Sequence, residues 1–215
     1  MESRENRVPL TVSNRDYSRW LWPLSNCAVA VFAFVLVWVC GRRGVFLLDQ
    51  SMLFDGAWRL LQGQVPYRDV LFPFGPMAFV IQALFFKIFG VDFSTMVISA
   101  AVLNAVAGLF VIRIVRLLLP AQKVTALMAG LVTACWFQAP FGTLWFEQTA
   151  FFFGLAGLLA AVEGERAPGN RSYSLHALSG LLVAMAVLAK QNAGLLFVIV
   201  LAGTVVVAHI REPLV

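Results

Sequence analysis

The run from Leu21 to Cys40 contains no charged side chain, and Asn26 is its most polar member. Its length matches the roughly 20 apolar residues that a helix needs to cross the hydrocarbon core of a bilayer. Similar runs recur along the chain, at Thr95–Leu118, Val124–Pro140, Thr149–Val162, Leu175–Ala189 and Ala193–Ala208. Of the 215 residues, 60% are hydrophobic and only 13% charged. A soluble domain carries about 25% charged residues, so this chain cannot wet the surface of a globule. The expectation is an all-α, multi-pass transmembrane bundle. Disordered, collagenous, coiled-coil and disulfide-scaffold classes are excluded with the soluble one.

The net charge of +5 does not point to nucleic acid. No basic cluster with interleaved polar and aromatic residues forms a groove, and the 19 Phe residues sit in the apolar runs. Excess Lys and Arg in a membrane protein record orientation. Cys27, Cys40 and Cys135 lie within apolar runs and read as small buried hydrophobes. His176 and His209 stand alone at span ends, where interfacial packing outweighs metal ligation. No metal and no cofactor is implied. Residues 1–20, with Arg4, Arg7, Arg15 and Arg19, lead into the first run without an A-x-A cleavage site. They read as the cytoplasmic flank of a retained signal anchor, followed by one membrane module over 21–215.

The stretch Val70–Gly90 is apolar but broken by Pro73, Gly75 and Pro76. It leaves about 14 residues of clean helix, which suits an interfacial or re-entrant segment better than a span. Charge distribution arbitrates. With the N-terminus cytoplasmic and this stretch not crossing, the inside receives Arg4, Arg7, Arg15, Arg19, Arg113, Arg116, Lys123, Arg166, Arg171 and Arg211. The outside then receives only Arg42, Arg43, Arg59, Arg68, Lys87 and Lys190. A crossing would invert that ratio, so the positive-inside rule favours six spans with an external loop over 41–94. Glycines 154, 157, 180, 194 and 203 suit close helix approach in lipid.

The external loop is too long for a plain connector. Asp49 can N-cap a helix running from Gln50 to Leu61, which Gly63 ends. Asp55 and Arg59 fall i, i+4 on it, as a surface ion pair would. Val65-Pro66-Tyr67-Arg68-Asp69 and the turn Phe72-Pro73-Phe74-Gly75-Pro76 follow.

Asp49-Gln50, Ala57, Leu60-Leu61-x-Gly63-x-x-Pro66-Tyr67-x-Asp69, Gly75-Pro76 and Phe89-Gly90 together resemble the first external loop of the GT-C membrane glycosyltransferases. The nearest varieties are the lipopolysaccharide galacturonosyltransferases and the protein-mannosyltransferase-related enzymes. Two further points match, Glu147 at the opening of a later span and Lys190-Gln191 between the last two spans. The resemblance implies transfer of a sugar from a polyprenyl-phosphate donor to a lipid or glycan acceptor on the external face of the inner or plasma membrane. It makes Asp49 the base that takes the acceptor proton. Lys190, helped by Arg68, becomes the clamp on the donor phosphate. Tyr67, Asp69, Glu147 and Gln191 become sugar or acceptor contacts. The charge-based topology places Asp49, Tyr67, Arg68, Asp69, Glu147 and Lys190 on one side of the membrane, as this reading requires.

Each residue also has a plainer reading. Asp49 serves as a helix cap, Arg68 and Asp69 solvate a turn, and Glu147 complements a helix dipole. Lys190 marks an interfacial boundary, although an ionisable residue ending an apolar helix is a functional hypothesis by default. Gln50 stands where relatives carry Glu, and Asn192 where many carry Pro. The chain ends at Val215, a span short of the family's usual module, so a fragment or a subunit needing a partner is expected. Two rivals remain, a non-catalytic subunit and a transporter or flippase. The second would want charged or broken helices near the bilayer midplane, whereas the polar residues here concentrate at one face.

Overall fold

Among the residues described by the computed structural model, 14–44 and 47–211, every extended regular element is a helix. They are α1 (Asn14–Gly41), α2 (Leu47–Leu61), α3 (Met77–Phe89), α4 (Phe93–Leu118), α5 (Lys123–Trp136), α6 (Phe146–Gly164), α7 (Asn170–Ala189) and α8 (Gln191–Arg211). Among the described residues, four stretches are long and apolar enough to cross a bilayer, against the six spans expected: Leu21–Gly41, Phe93–Leu118, Phe146–Gly164 and Asn170–Ala189, while Lys123–Trp136 and Gln191–Gly203 are shorter apolar helices. The multi-pass helical bundle expected from the apolar runs is therefore what forms. Residues 1–13 of the N-terminal flank lie outside the described part, and α1 already begins within that flank.

The outer surface is apolar in a pattern that only lipid accommodates. On α1, Val29, Ala33 and Val37 are buried at i, i+4 and i+8, while Leu24, Val31, Val35 and Val39 face outward. On α5, Ala126, Gly130 and Ala134 turn inward, and Val124, Met128, Val132 and Trp136 turn outward, Trp136 being 78% exposed. The inward α5 stripe is a small-xxx-small pattern. It brings the backbone of Gly130 against Gly108 and Ile112 of α4, the close approach that substitutes for hydrophobic driving force within lipid. Gly154 and Gly157 do the same on α6, receiving the Phe197 ring and the Ser179 carbonyl, and Gly194 packs on the backbone at Val187. Gly180 and Gly203, expected in the same role, meet no neighbour within 4 Å among the described residues. Cys27 and Cys135 are not buried either. Both lie on outward faces as free thiols, because their helix positions fall beside the lipid-facing stripes.

The run Val124–Pro140 does not form one continuous helix. α5 stops at Trp136 after 14 residues, about 21 Å at 1.5 Å per residue, and 137–145 is irregular. Buried backbone that leaves its helical ladder must have its polar groups satisfied by the protein itself. Asn104, fully buried near the middle of α4, does this. Its amide nitrogen donates to the Ala134 carbonyl at 2.9 Å and to the Ala33 carbonyl at 3.0 Å. Its side-chain oxygen accepts from the Gln138 N–H at 3.0 Å. One side chain thus ties α1, the end of α5 and the start of the irregular segment to α4. Gly142, in a left-handed conformation (φ 67°), closes that segment against Gly41 of α1.

The helix α3 has 13 residues, about 20 Å, too short to span. It packs on α2 and α4, and Gln82 at its centre accepts a hydrogen bond from Ser99 at 2.7 Å. The helix α2 starts by Leu47, so Asp49 lies inside its first turn and is not its N-cap, as the sequence had led one to expect. An acidic side chain there complements the helix dipole. The far end of α2 is as anticipated. Gly63 (φ 80°) sits in a Schellman arrangement, with Gln64 N–H on the Arg59 carbonyl and Gly63 N–H on that of Leu60. The pair Arg59–Asp55 forms at 2.6 Å.

Asn104→Leu would remove three hydrogen bonds inside the bundle and leave the Gln138 N–H without its side-chain acceptor. It is expected to cost about 1–3 kcal/mol, read as a lowered unfolding temperature of the detergent-solubilised chain. An unchanged melting temperature would remove Asn104 from this bracing role.

Candidate functional site

Lys190 is the only residue between α7 and α8. Its backbone is extended (φ −155°, ψ 118°), its N–H donates to the Ala186 carbonyl, and its own carbonyl accepts from Gly194. The chain turns sharply there, so the side chain leaves a helix break instead of a helix face. Its ammonium pairs with the Glu147 carboxylate in the first turn of α6. Both are partly buried, with Lys190 18% and Glu147 34% exposed. The second Glu147 oxygen, Oε2, is buried and has no partner among the described residues.

The Phe72–Pro76 turn completes this site. A side chain at Gly75 would collide with the Leu188 carbonyl, so the turn lies directly on the end of α7 beside Lys190. The Phe74 ring then sits 5.0 Å from the Lys190 ammonium, a cation–π distance. It also packs on Phe146 at 4.5 Å. Phe146 touches Phe79 at 5.3 Å, and Phe79 stacks on Phe72 at 4.0 Å. The outer end of this row is Tyr67, edge-on to Phe72 at 6.3 Å. Its hydroxyl donates to the Phe74 carbonyl at 2.8 Å. Tyr67 holds a positive φ of 64°, which strains a bulky L-residue and persists only where surrounding contacts determine it.

Arg68 and Asp69 belong to the same loop but pair with each other. Arg68 Nε and Nη2 reach the two carboxylate oxygens at 2.9 and 2.8 Å. Asp69 also accepts from the Val65 N–H at 2.8 Å. The Arg68 guanidinium and, secondarily, that backbone N–H hold the Asp69 carboxyl below its ordinary value, and Arg68 is raised in return. The pair therefore folds the loop upon itself, and no ion pair joins Arg68 to the Lys190 site.

Asp49 is half-buried on α2 and makes no hydrogen bond or ion pair with another described residue. The other carboxylates at this end of the bundle are engaged. Asp55 pairs with Arg59, Asp69 with Arg68, and Glu147 with Lys190, while Asp92 caps α4 through the Thr95 N–H. The neighbour Gln50 is buried and donates to the Phe141 carbonyl at 3.1 Å, docking the start of α2 on the segment that leads into α6. Gln191 opens α8 and is exposed. The structure thus brings Tyr67, Glu147 and Lys190 into one connected arrangement, through Phe74. It puts Arg68 and Asp69 on that arrangement's outer loop and leaves Asp49 uncommitted on α2.

One contributor to the site, Phe74, and two buried polar residues upstream of α6 were not singled out from the sequence. Phe74 supplies both a carbonyl and a ring, though it was visible only as part of a turn. Gln138 and Thr143 are fully buried just before α6, with the Gln138 amide atoms and the Thr143 hydroxyl unpartnered among the described residues. Their signal was two polar residues in an aromatic-rich stretch, which is weak. His176 lies 3.5 Å from Glu165 at the opposite end of α6, as an interfacial histidine would, and His209 lies outside the described side chains. Among the described residues, no three His, Cys, Asp or Glu side chains group to hold a metal.

The apolar helical bundle places a turn, a lysine and carboxylates together at one end, and the class of protein is given by sequence likeness to a family of membrane glycosyltransferases of the GT-C kind. Residues 73–215 match the family of dolichyl-phosphate-mannose-protein mannosyltransferases, and the chain belongs to that family. The matched region holds Gly75, Glu147 and Lys190, while Asp49, Tyr67, Arg68 and Asp69 precede it. No curated protein and no solved structure matches the chain.

Two outcomes follow from the loop. Tyr67→Phe removes the hydrogen bond to Phe74 and is expected to cost about 1 kcal/mol, with faster amide hydrogen exchange over 72–75. Because the folded Asp69 pKa is depressed, the loop's ion pair is fully present above the ordinary carboxylate value and is lost as pH falls through the lowered one. Protection of the Val65 amide, taken relative to its intrinsic exchange rate, should fall across that acidic window, and Asp69→Asn should abolish that change.

Proposed function

We propose that this chain transfers a sugar from a polyprenyl-phosphate donor to a lipid or cell-envelope acceptor, at the membrane face that carries Lys190. The observation that supports this best is the Lys190–Glu147 pair at the break between α7 and α8, roofed by Phe74. In the reaction, the bond between the anomeric carbon and the donor phosphate oxygen breaks as the acceptor oxygen attacks that carbon. Positive charge develops on the sugar ring, and negative charge on the departing phosphate. Lys190 stabilises that phosphate, exchanging its Glu147 partner for a phosphate oxygen. Asp49 takes the proton from the acceptor hydroxyl, a role suited to a carboxylate not already held by a cation.

In this reading Glu147, the partner of Lys190, and Gln191, its neighbour in the chain, contact sugar or acceptor. Tyr67 acts through Phe74 as a positioning residue, and the Arg68–Asp69 loop shapes the acceptor side. The orientation that fits is an N-terminus in the cytoplasm of an inner or plasma membrane, with this site on the external face. The transferred group is of the hexosyl or pentosyl class.

The test is transfer of labelled sugar from polyprenyl-phosphate donors by the full chain in proteoliposomes. Lys190→Gln is expected to lower turnover by roughly 10²–10³-fold, and Asp49→Asn by roughly 10²–10⁴-fold. Glu147→Gln should fall less, because Lys190 keeps its charge and loses only its anchor. Undiminished transfer by Asp49→Asn would sink the base assignment. Accumulation of donor inside the vesicles without transfer would favour a flippase instead.

A further inference from the structure

At the other end of the bundle, three arginines line a cavity of about 450 Å³ with Trp22 and Asn26 of α1. Arg113 and Arg116 come from the last turns of α4, and Arg166 from the connection between α6 and α7. This end is remote from Lys190. Glu147 opens α6 and Glu163 closes it, some 16 residues on, or about 24 Å along the helix. Arg113 contacts Glu163 at 2.9 Å, which fixes the cavity at the Glu163 end.

The three guanidiniums are not equally engaged. Arg113 pairs with Glu163, a carboxylate that lines the smaller adjoining cavity of about 200 Å³. Arg166 donates to the Leu117 carbonyl at 2.7 Å and the Val162 carbonyl at 3.2 Å. Arg116 lies over the Trp22 ring at 4.2 Å, and its Nε and Nη1 are buried with no acceptor among the described residues. The Asn26 side-chain oxygen beside it is buried and unpartnered too. Its amide orientation is interchangeable, so this group can donate as readily as accept. Buried guanidinium donors without an acceptor are costly and rare. Three arginines against one carboxylate leave the cavity strongly positive.

The complementary ligand has several acceptor oxygens and negative charge. The cavity is also walled by Leu109 and Ile112, and it opens at the ends of lipid-facing helices beside an interfacial tryptophan. A free ion has no use for those walls. We propose that this cavity binds the phosphate headgroup of an anionic phospholipid, at the membrane face opposite the Lys190–Glu147 site. Arg116 donates to the phosphate through its free Nε and Nη1, and Arg113 and Arg166 add charge at the rim. The acyl chains lie along the apolar faces of α1 and α4. Basic pockets between transmembrane helices are known to select such headgroups. The proposal stands apart from the glycosyl-transfer reading, since none of its residues belongs to the Lys190 site.

The test uses the full chain in detergent, titrated with phosphatidylglycerol, phosphatidylcholine or inorganic phosphate. Retained lipid is counted by native mass spectrometry, and stabilisation is followed by thermal unfolding. Phosphatidylglycerol should be retained and should raise the unfolding temperature, while phosphatidylcholine does neither. Arg116→Gln should weaken phosphatidylglycerol binding about fivefold, the value of one basic residue at a lipid surface. If that variant does not fold, Arg113→Gln, at a largely exposed position, carries the test with the same expected direction. Equal retention of both lipids would overturn the proposal, as would binding indifferent to the variants. Stabilisation by inorganic phosphate equal to that by phosphatidylglycerol would overturn the lipid assignment.

Discussion

Buried backbone N–H and C=O groups must find partners inside the protein, and at the end of α5 a buried side chain supplies them where the helical ladder stops. The helix stops after 14 residues, and the next nine follow no regular ladder. Asn104 makes this tolerable by accepting one backbone N–H and donating to two carbonyls from deep within α4. Its three contacts lie on three different segments, so the packing of α1, α4 and α5 and the course of 137–145 are set together. That course leads into Phe146 and Glu147, so the position of the candidate site depends on an amide that never touches it.

From there the arrangement is carried by aromatic packing. The row Tyr67, Phe72, Phe79, Phe146 and Phe74 runs from the outer loop to the Lys190 ammonium with centroid separations of 4.0–6.3 Å. Rings have few rotatable bonds, and so hold a distance at low entropic cost. Gly56 of α2 packs on the Phe72 and Phe79 rings, which attaches the helix bearing Asp49 to the same row. A strained Tyr67 backbone is consistent with that tight linkage. Its hydroxyl, held by Phe74, and its ring, against Phe72, offset a conformation that the residue alone would avoid.

The bundle, the shortness of α3, the end of α2 at Gly63 and the Asp55–Arg59 pair were all legible in the sequence. Each depends on local periodicity, helix-stop chemistry or i, i+4 spacing. What escaped depended on contacts distant along the chain. The break in Val124–Pro140 could not be foreseen, because hydropathy sees an apolar run and not the Asn104 side chain that replaces its ladder. Asp49 looked like a cap because the sequence marks an acidic residue before a periodic stretch, and the helix begins earlier. The lysine was legible, since a charge between two apolar runs stands out. Its partner was legible only as a separate residue, 43 positions away.

The two ends of the bundle meet the problem of positive charge in opposite ways. Lys190 has an internal counter-ion, so an incoming anion must displace Glu147 before it gains the full attraction of the ammonium. Binding there is weakened by the pair it breaks, and departure is assisted when the pair re-forms. Those are useful properties where a phosphate must leave at the end of each reaction. Arg116 has an aromatic face beneath it and, among the described residues, no carboxylate competing for its buried donors. An anion bound there would displace nothing and would leave donors unpaired on departure. By the same electrostatic reasoning, the Lys190 end is suited to an exchanging ligand and the Arg116 end to a resident one.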